Sequence, residues 1–198
     1  METIKLYLSL FIAWMLEPFQ DQIHAFVGTR FAVVAVKSTP VTNADATPAV
    51  LNKANVDGGR VRQKRGVATA ANGDSIASTY RFCRIKSNDL VSKVLLDNAT
   101  WGAACTMDIG LYQTAANGGA VVDADLFAAA VDMNTANRAL DVTRESGIIT
   151  VANMEKRVWE LLGLSADPQR DYDVAGTLVA AAAAAGAMCV TVEVVGAA

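Results

Sequence analysis

Residues 108–125 read DIGLYQTAANGGAVVDAD, and this stretch decides the fold. With Met107 just before it, Ile109 and Leu111 alternate with Asp108, Gly110 and Tyr112, the period of a strand with one buried face. Ala116-Asn117-Gly118-Gly119 then turns the chain, because Asn and Gly accept backbone conformations that other residues resist. A short apolar segment carrying Asp123 and Asp125 follows. The stretch holds no nucleophile, no base and no metal cage. It reads as surface-loop chemistry on a β-scaffold.

The same period recurs on both sides. Residues 32–37 are a short β-branched run, and residues 60–70 read as a strand ended by the turn Asn72-Gly73-Asp74. TYRFCRIK at 79–86 sets aromatic against basic residues, and residues 90–96 read as a strand buried on both faces. Residues 140–142 and 148–151 are expected to be short strands around a turn at Ser146-Gly147. Tyr172, Val174 and Leu178 alternate, as do Val190, Val192 and Val194. Between these lie six alanines, 180–185. Intrinsic propensity favours helix there. Six residues do not sustain an isolated helix, however, so two strands joined near Gly186 are expected.

One helix is expected at 153–162. Asn153 is its candidate cap and Glu155 lies in its first turn. Met154, Val158, Leu161 and Leu162 make one apolar stripe, with Trp159 beside it. Gly163 is placed to end it in the left-handed conformation, and Pro168 prevents resumption. Residues 38–57, with Pro40, Pro48 and many Asn, Asp and Thr, favour an extended arm. Seven or eight strands with one helix are too little helix for βαβ units. The expected class is mainly β: a two-sheet β-sandwich, jelly-roll-like, with a short α-helix near 153–162 and an extended N-terminal arm. The expected organisation is an apolar extension at 1–30, the arm at 31–59 and the sandwich at 60–198.

Composition narrows function by what it withholds. The chain has 198 residues and a net charge of -3, enough length for a full core and no basic excess for a nucleic-acid groove. The cluster Arg60, Arg62, Lys64 and Arg65 is read as the solvated face of a strand. Cys83, Cys105 and Cys189 fit no zinc spacing, and an odd count closes no disulfide set; a Cys83–Cys105 bridge stays open. Each is read as a small hydrophobe in a strand, made in a reducing compartment. The one histidine, His24, is the sole possible base of a Ser-His or Cys-His pair. No dinucleotide fingerprint or P-loop is present. Asp167, Asp171 and Asp173 around Pro168 are hard oxygen donors of the kind that bind calcium, but without EF-hand spacing they read as turn and solubility residues. Asp123 and Asp125 are the one carboxylate pair to weigh for glycoside chemistry. Tyr80, Phe82 and Arg84 are either a stacking face for sugar or nucleic acid, or core with an arginine at its rim. Core is preferred. No catalytic, cofactor-binding or metal residue is assigned.

Residues 6–16, LYLSLFIAWML, are too short to span a bilayer and have the length of a signal-peptide core. Membrane contact and an amphipathic packing helix are the other structural readings. The preferred one is an upstream extension or an over-called start.

From about Val33 to Val195 the chain resembles the small virion structural proteins of tailed bacteriophages, the head decoration or cement proteins. The segments that carry the resemblance occur in order: VTNADATPAVLN, GRVRQKRGVATAANGDSIASTYRFCRI, DIGLYQTAANGGAVVDADLFAAAVD, WELLGLSADP, DYDV and the closing Val-rich strand. Such relatives open near Phe31-Ala32-Val33-Val34. For residues 123–133 the resemblance suggests strand or irregular structure where alanine content favours helix. It implies a non-enzymatic virion component, assembled in the host cytoplasm, without cofactor. Its expected partners are the major capsid protein or other virion proteins and copies of itself, with a trimer favoured, and neither nucleic acid nor membrane. The rival reading is a receptor- or carbohydrate-binding β-sandwich of a phage tail or fibre. Trp101 is the only loop aromatic suited to that role. A sandwich-fold hydrolase is the remaining alternative.

Overall fold

The computed structural model describes residues 36–53 and 56–196. The apolar segment 6–16, His24 and the run 32–35 lie outside them. The chain divides into two compact units, Met1–Thr42 and Asn43–Ala198. Of the first, residues 36–42 are described. A helix, α1 (Thr39–Asp45), stands where an extended arm was expected. The Thr42 hydroxyl donates to the Ser38 carbonyl at 3.0 Å, the local bond that Ser and Thr residues offer a helical turn. In the second unit, Asn43 donates to the Asn52 side chain (2.8 Å) and Asn52 to Asp57 (3.0 Å), so the described part of this stretch is tied back on itself rather than fully extended.

Eight strands follow: β1 (Arg60–Ala70), β2 (Thr79–Lys86), β3 (Leu90–Asn98), β4 (Thr106–Gln113), β5 (Val121–Asp132), β6 (Asn137–Asp141), β7 (Asp171–Leu178) and β8 (Gly186–Gly196). They form two four-stranded antiparallel sheets, β1-β8-β3-β6 and β2-β7-β4-β5. The pairs β1–β8, β2–β7, β3–β6 and β4–β5 show the logic. The chain is one long antiparallel ribbon, bent back at β4–β5 and rolled so that successive strands fall in opposite sheets. That is the jelly-roll form of the expected sandwich.

Alternation places the core. Val94 and Leu96 of β3, Met107, Ile109 and Leu111 of β4, Val174 and Leu178 of β7, and Met188, Val190, Val192 and Val194 of β8 are all buried between the sheets. Full burial of each such side chain stabilises by about 1.5–3 kcal/mol relative to exposure. Strand β5 settles the ambiguous segment 123–133. Ile109 pairs with Ala128 and Leu111 with Asp123, so Ala124, Asp125, Leu126 and Phe127 bulge opposite Gly110 alone. The bulge turns both Leu126 and Phe127 into the core. Gly110 is required by it: a Cβ there would lie 2.1 Å from the Asp123 carbonyl oxygen.

The seam between β1 and β2 is equally tight. A Cβ on Gly66 would lie 2.0 Å from the Phe82 carbonyl oxygen. The register slips between Arg81 and Cys83, and Phe82 is the residue left over. One side of the sandwich is thereby drawn nearly closed, backbone against backbone.

Three expectations need correction. The helix is α2 (Val158–Leu161), a single turn, with Arg157 in the cap position and its amide bonded to the Glu160 carboxylate at 2.8 Å. Asn153 instead accepts from the Thr150 amide (2.6 Å) and donates to the Ile148 carbonyl (2.7 Å), closing a turn of its own. Residues 148–151 are therefore turn rather than strand. Gly163 does adopt the expected left-handed conformation, φ 70°. The amides of Val158 and Trp159 bond to the carbonyls of Asp89 and Ser87, which docks the turn of helix on the β2–β3 connection. Finally, the alanine run is neither helix nor strand pair. It crosses from β7 in one sheet to β8 in the other, and Ala183 and Ala184 both donate to the Trp101 carbonyl. Small side chains let this loop lie over the indole. A Cβ on Gly186 would lie 2.6 Å from the Trp101 ring.

Candidate functional site

The best-built polar cluster lies on the outer face of the second sheet. Asp173 of β7 points away from the core, as alternation with Val174 requires. Its carboxylate accepts from Arg81 Nη1 at 3.0 Å and from Arg84 Nε at 2.8 Å. The Arg81 guanidinium also donates to the carbonyls of Gln113 (2.6 Å) and Gly119 (2.7 Å) and stands 5.1 Å over the Tyr112 ring. Tyr112 in turn shares a 2.7 Å hydrogen bond with Thr177. Arg81 therefore ties edge strand β2, across β7, to the β4–β5 turn at the bend of the ribbon. The bond with Asp173 raises the Arg84 pKa, which keeps that guanidinium charged. Arg81 is held by three protein acceptors and Arg84 by its Nε on Asp173, so the cluster is a clamp.

A groove of 590 Å³ opens beside it, lined by Val122 and Asp123 of β5, Leu161 at the end of α2 with Leu162 just past it, and Arg170 and Tyr172 where the chain enters β7. The Asp123 pKa is raised, first by burial and then by a hydrogen bond with the Asp125 carboxyl. The Asp125 amide also bonds to Asp123 Oδ1 at 3.3 Å. Two carboxyls that share a hydrogen bond are too close to flank a glycosidic bond, which needs them about 5–9.5 Å apart. The pair weighed for glycoside chemistry is thus the local geometry of a bulge.

The other residues singled out in the sequence are dispersed. Asp167 accepts from the Ser87 hydroxyl and the Gln169 amide, Asp171 stands opposite Lys86 in the β2–β7 register, and Asp173 belongs to the arginine clamp. Among the described residues no three His, Cys, Asp or Glu side chains converge as a metal site. Tyr80 and Phe82 pack against the core while Arg84 turns out to Asp173, because the slip between Arg81 and Cys83 breaks the shared face. Tyr80 meets Trp101 edge to face at 5.6 Å and donates to Asp74 at 2.5 Å. That bond lowers the Asp74 pKa, and burial together with the same bond raises that of Tyr80. Trp101, the loop aromatic of the carbohydrate-binding reading, is 0% exposed. The three cysteines are free thiols, and burial pushes the Cys83 thiol up to about 11. Arg60, Arg62 and Arg65 are exposed, as expected of a solvated strand face, and Lys64 is half-buried. It donates to the Arg84 carbonyl across the seam at 2.6 Å and lies 3.7 Å from Asp89. Sequence patterning missed the arginine clamp, since only the register brings positions 81, 84 and 173 together.

Among the described residues, no helix is long and apolar enough to cross a membrane. The fold and clamp define an eight-stranded antiparallel jelly roll braced by surface ion pairs. No family model matches the chain, and no curated protein does. Two solved structures are similar to it. One is a chain of the capsid asymmetric unit of cyanophage Pam1, 15% identical over 70% of this chain and 86% of that one, with a TM-score of 0.43. The other is a chain of the capsid of Ralstonia phage GP4, 14% identical over 71% and 86%, with a TM-score of 0.47. Likeness this distant does not carry function from one chain to another.

Proposed function

We propose that this chain is a non-enzymatic virion structural protein that decorates or cements a phage capsid. One observation carries the reading. The ordered segments that resemble head decoration proteins supply the jelly-roll strands and the turns that brace them. GRVRQKRGVATAANGDSIASTYRFCRI holds β1 and all of β2 but its last residue, DIGLYQTAANGGAVVDADLFAAAVD holds most of β4 and all of β5, and WELLGLSADP with DYDV holds most of α2 and the start of β7. Jelly rolls recur in viral capsids and in lectins, so architecture alone does not choose between the two. The lectin-like rival wants an exposed aromatic platform, and Trp101 is inside the core. A rigid sandwich with exposed Val61, Val67, Ile76 and Val121 suits lasting contact with neighbours in a shell. Its partners are the major capsid protein or other virion proteins and further copies of itself, a trimer matching a capsid symmetry axis.

The test is co-sedimentation of the purified protein with purified phage heads, expanded and unexpanded. Saturable binding on the order of hundreds of copies per head is expected, as symmetric shells present repeated sites. No binding to either form of head contradicts the proposal. Glycan-array binding in its place selects the rival.

A further inference from the structure

Basic residues that look scattered along the chain are gathered by the roll. Strand β1 carries Arg60, Arg62, Lys64 and Arg65, and β2 carries Arg81, Arg84 and Lys86; neither strand has an acidic residue. These are seven of the chain's 17 basic residues. The two strands are the outermost members of their sheets at the same end of the sandwich. They also touch, through Gly66 against Phe82 and through Lys64 on the Arg84 carbonyl. Asp89 and Asp173 take up part of this charge, and Arg60, Arg62, Arg65 and Lys86 remain exposed. At the opposite end the outermost strands are β5 and β6. Strand β5 has Asp123, Asp125 and Asp132 with no basic residue, while β6 is balanced, Asp141 against Arg138, with Lys93 and Arg144 also acting on Asp141. The sandwich thus has a basic edge and an acidic edge, in a chain whose net charge is only -3.

We infer that the basic β1–β2 edge is an interface for a second copy of this chain, whose acidic edge, on β5 beside β6, it meets head to tail. Three observations favour this occupant. The two edges have opposite sign and lie on opposite ends of one molecule, so identical copies satisfy both at once. Each edge leaves backbone groups unpaired in a sheet: residues 60–63 are exposed on both strand faces, and β6 is exposed from Arg138 to Asp141. A heterologous contact of this kind closes into rings or runs on into arrays, the two forms a shell uses. The inference deepens the virion reading and rests on it for its biological setting.

The experiment is sedimentation equilibrium of the full chain, from about 50 to 500 mM salt, where screening shortens the reach of surface charge. Association is expected at low salt, with a dissociation constant that rises about tenfold or more across the range. Arg60→Glu with Arg62→Glu, and separately Asp132→Lys with Asp141→Lys, each abolish self-association. Mixing the two variants restores it, because each reversed edge then faces its opposite. A wild-type chain that stays monomeric at about 1 mM and low salt overturns the inference. So does association indifferent to salt. Monomeric protein that retains a short DNA duplex in a salt-dependent way also overturns it and gives the basic edge to nucleic acid. Absence of the protein from virions removes the virion reading without touching the sedimentation result. Presence in virions with none of these charge effects does the reverse.

Discussion

The two ends of the rolled ribbon are built differently. At its open end β1 and β8 pair without interruption from Arg60 opposite Gly196 to Ala70 opposite Gly186. At its bend β4 and β5 slip between Met107 and Ile109, again between Ile109 and Leu111, and once more before Tyr112. Strand β8 lies inside its sheet with Val190, Val192 and Val194 buried, so a slip of one residue would turn the whole ladder to solvent. Strand β5 is an edge and buries only Leu126, Phe127, Ala128 and Val131, so extra residues are accommodated there, and a bulged edge also resists unwanted pairing. The regular end makes the frame. The bulged end makes the molecule's surface relief: the groove, the shared carboxyl pair and the turn that Arg81 grips.

The sharpest way to break this contrast is to add a methyl or isopropyl group where backbones touch. Gly110→Val strikes the β5 bulge, and Gly66→Ala strikes the Phe82 backbone across the seam. Each is expected to cost about 3 kcal/mol or more in urea denaturation, since the clashing atoms are main chain and cannot swing aside. If Gly110→Val is as stable as wild type, the bulge is not held against Gly110 as described. Asp173→Asn comes next. It weakens two arginine contacts at a carboxylate that is 11% exposed, while Arg81 and Arg84 are 33% and 54% exposed. Screening at those arginines limits the expected loss to about 1–2 kcal/mol. Proteolysis within 113–120 should also accelerate, because Arg81 loses its second anchor.

Titration separates the two ends with opposite signs. The folded pKa of Asp123 is raised above 3.8, so the folded chain must ionise it at a cost that is absent below 3.8 and complete above its folded pKa. Asp123→Asn should therefore stabilise at neutral pH and lose that advantage in acid. The Tyr80 hydroxyl, with the Ala71 amide, holds Asp74 below 3.8, so its contribution is present above 3.8 and is lost as pH falls through its folded value. Asp74→Asn should destabilise at neutral pH, with the gap closing in acid. Urea midpoints measured across the acid range for both variants check this. Shifts of the same sign would contradict it. The smallest effect is expected at Ala130, which lies in the bulged strand at φ 51°. Relief of left-handed strain in Ala130→Gly is offset by the added freedom of the unfolded chain, leaving a change under about 1 kcal/mol.

The same division governs what the sequence disclosed. Alternation located β1, β4 and β8, and the count of strands against one helix predicted the sandwich. Inward and outward residues of a regular strand differ in polarity, and that difference is local. The bulge at 124–127 was hidden because Ala, Leu and Phe fit either a helix or a distorted strand; only pairing with Gly110 decides. Asn153 looks like a helix cap, yet its side chain closes a turn just as well, and docking on Ser87 and Asp89 set where the helix begins. Trp101 sits among loop residues and gave no sign that 183–186 cover it. The arginine clamp and the two charged edges depend on contacts between segments far apart in the chain, which periodicity does not register.

The most direct test of the central claim is quantitative mass spectrometry of virions purified from a culture that makes this protein. A decorating or cementing role predicts its peptides at a stoichiometry on the order of hundreds of copies per particle, as repeated symmetric contacts demand. Absence from purified particles, with the protein recovered elsewhere in the culture, would contradict it.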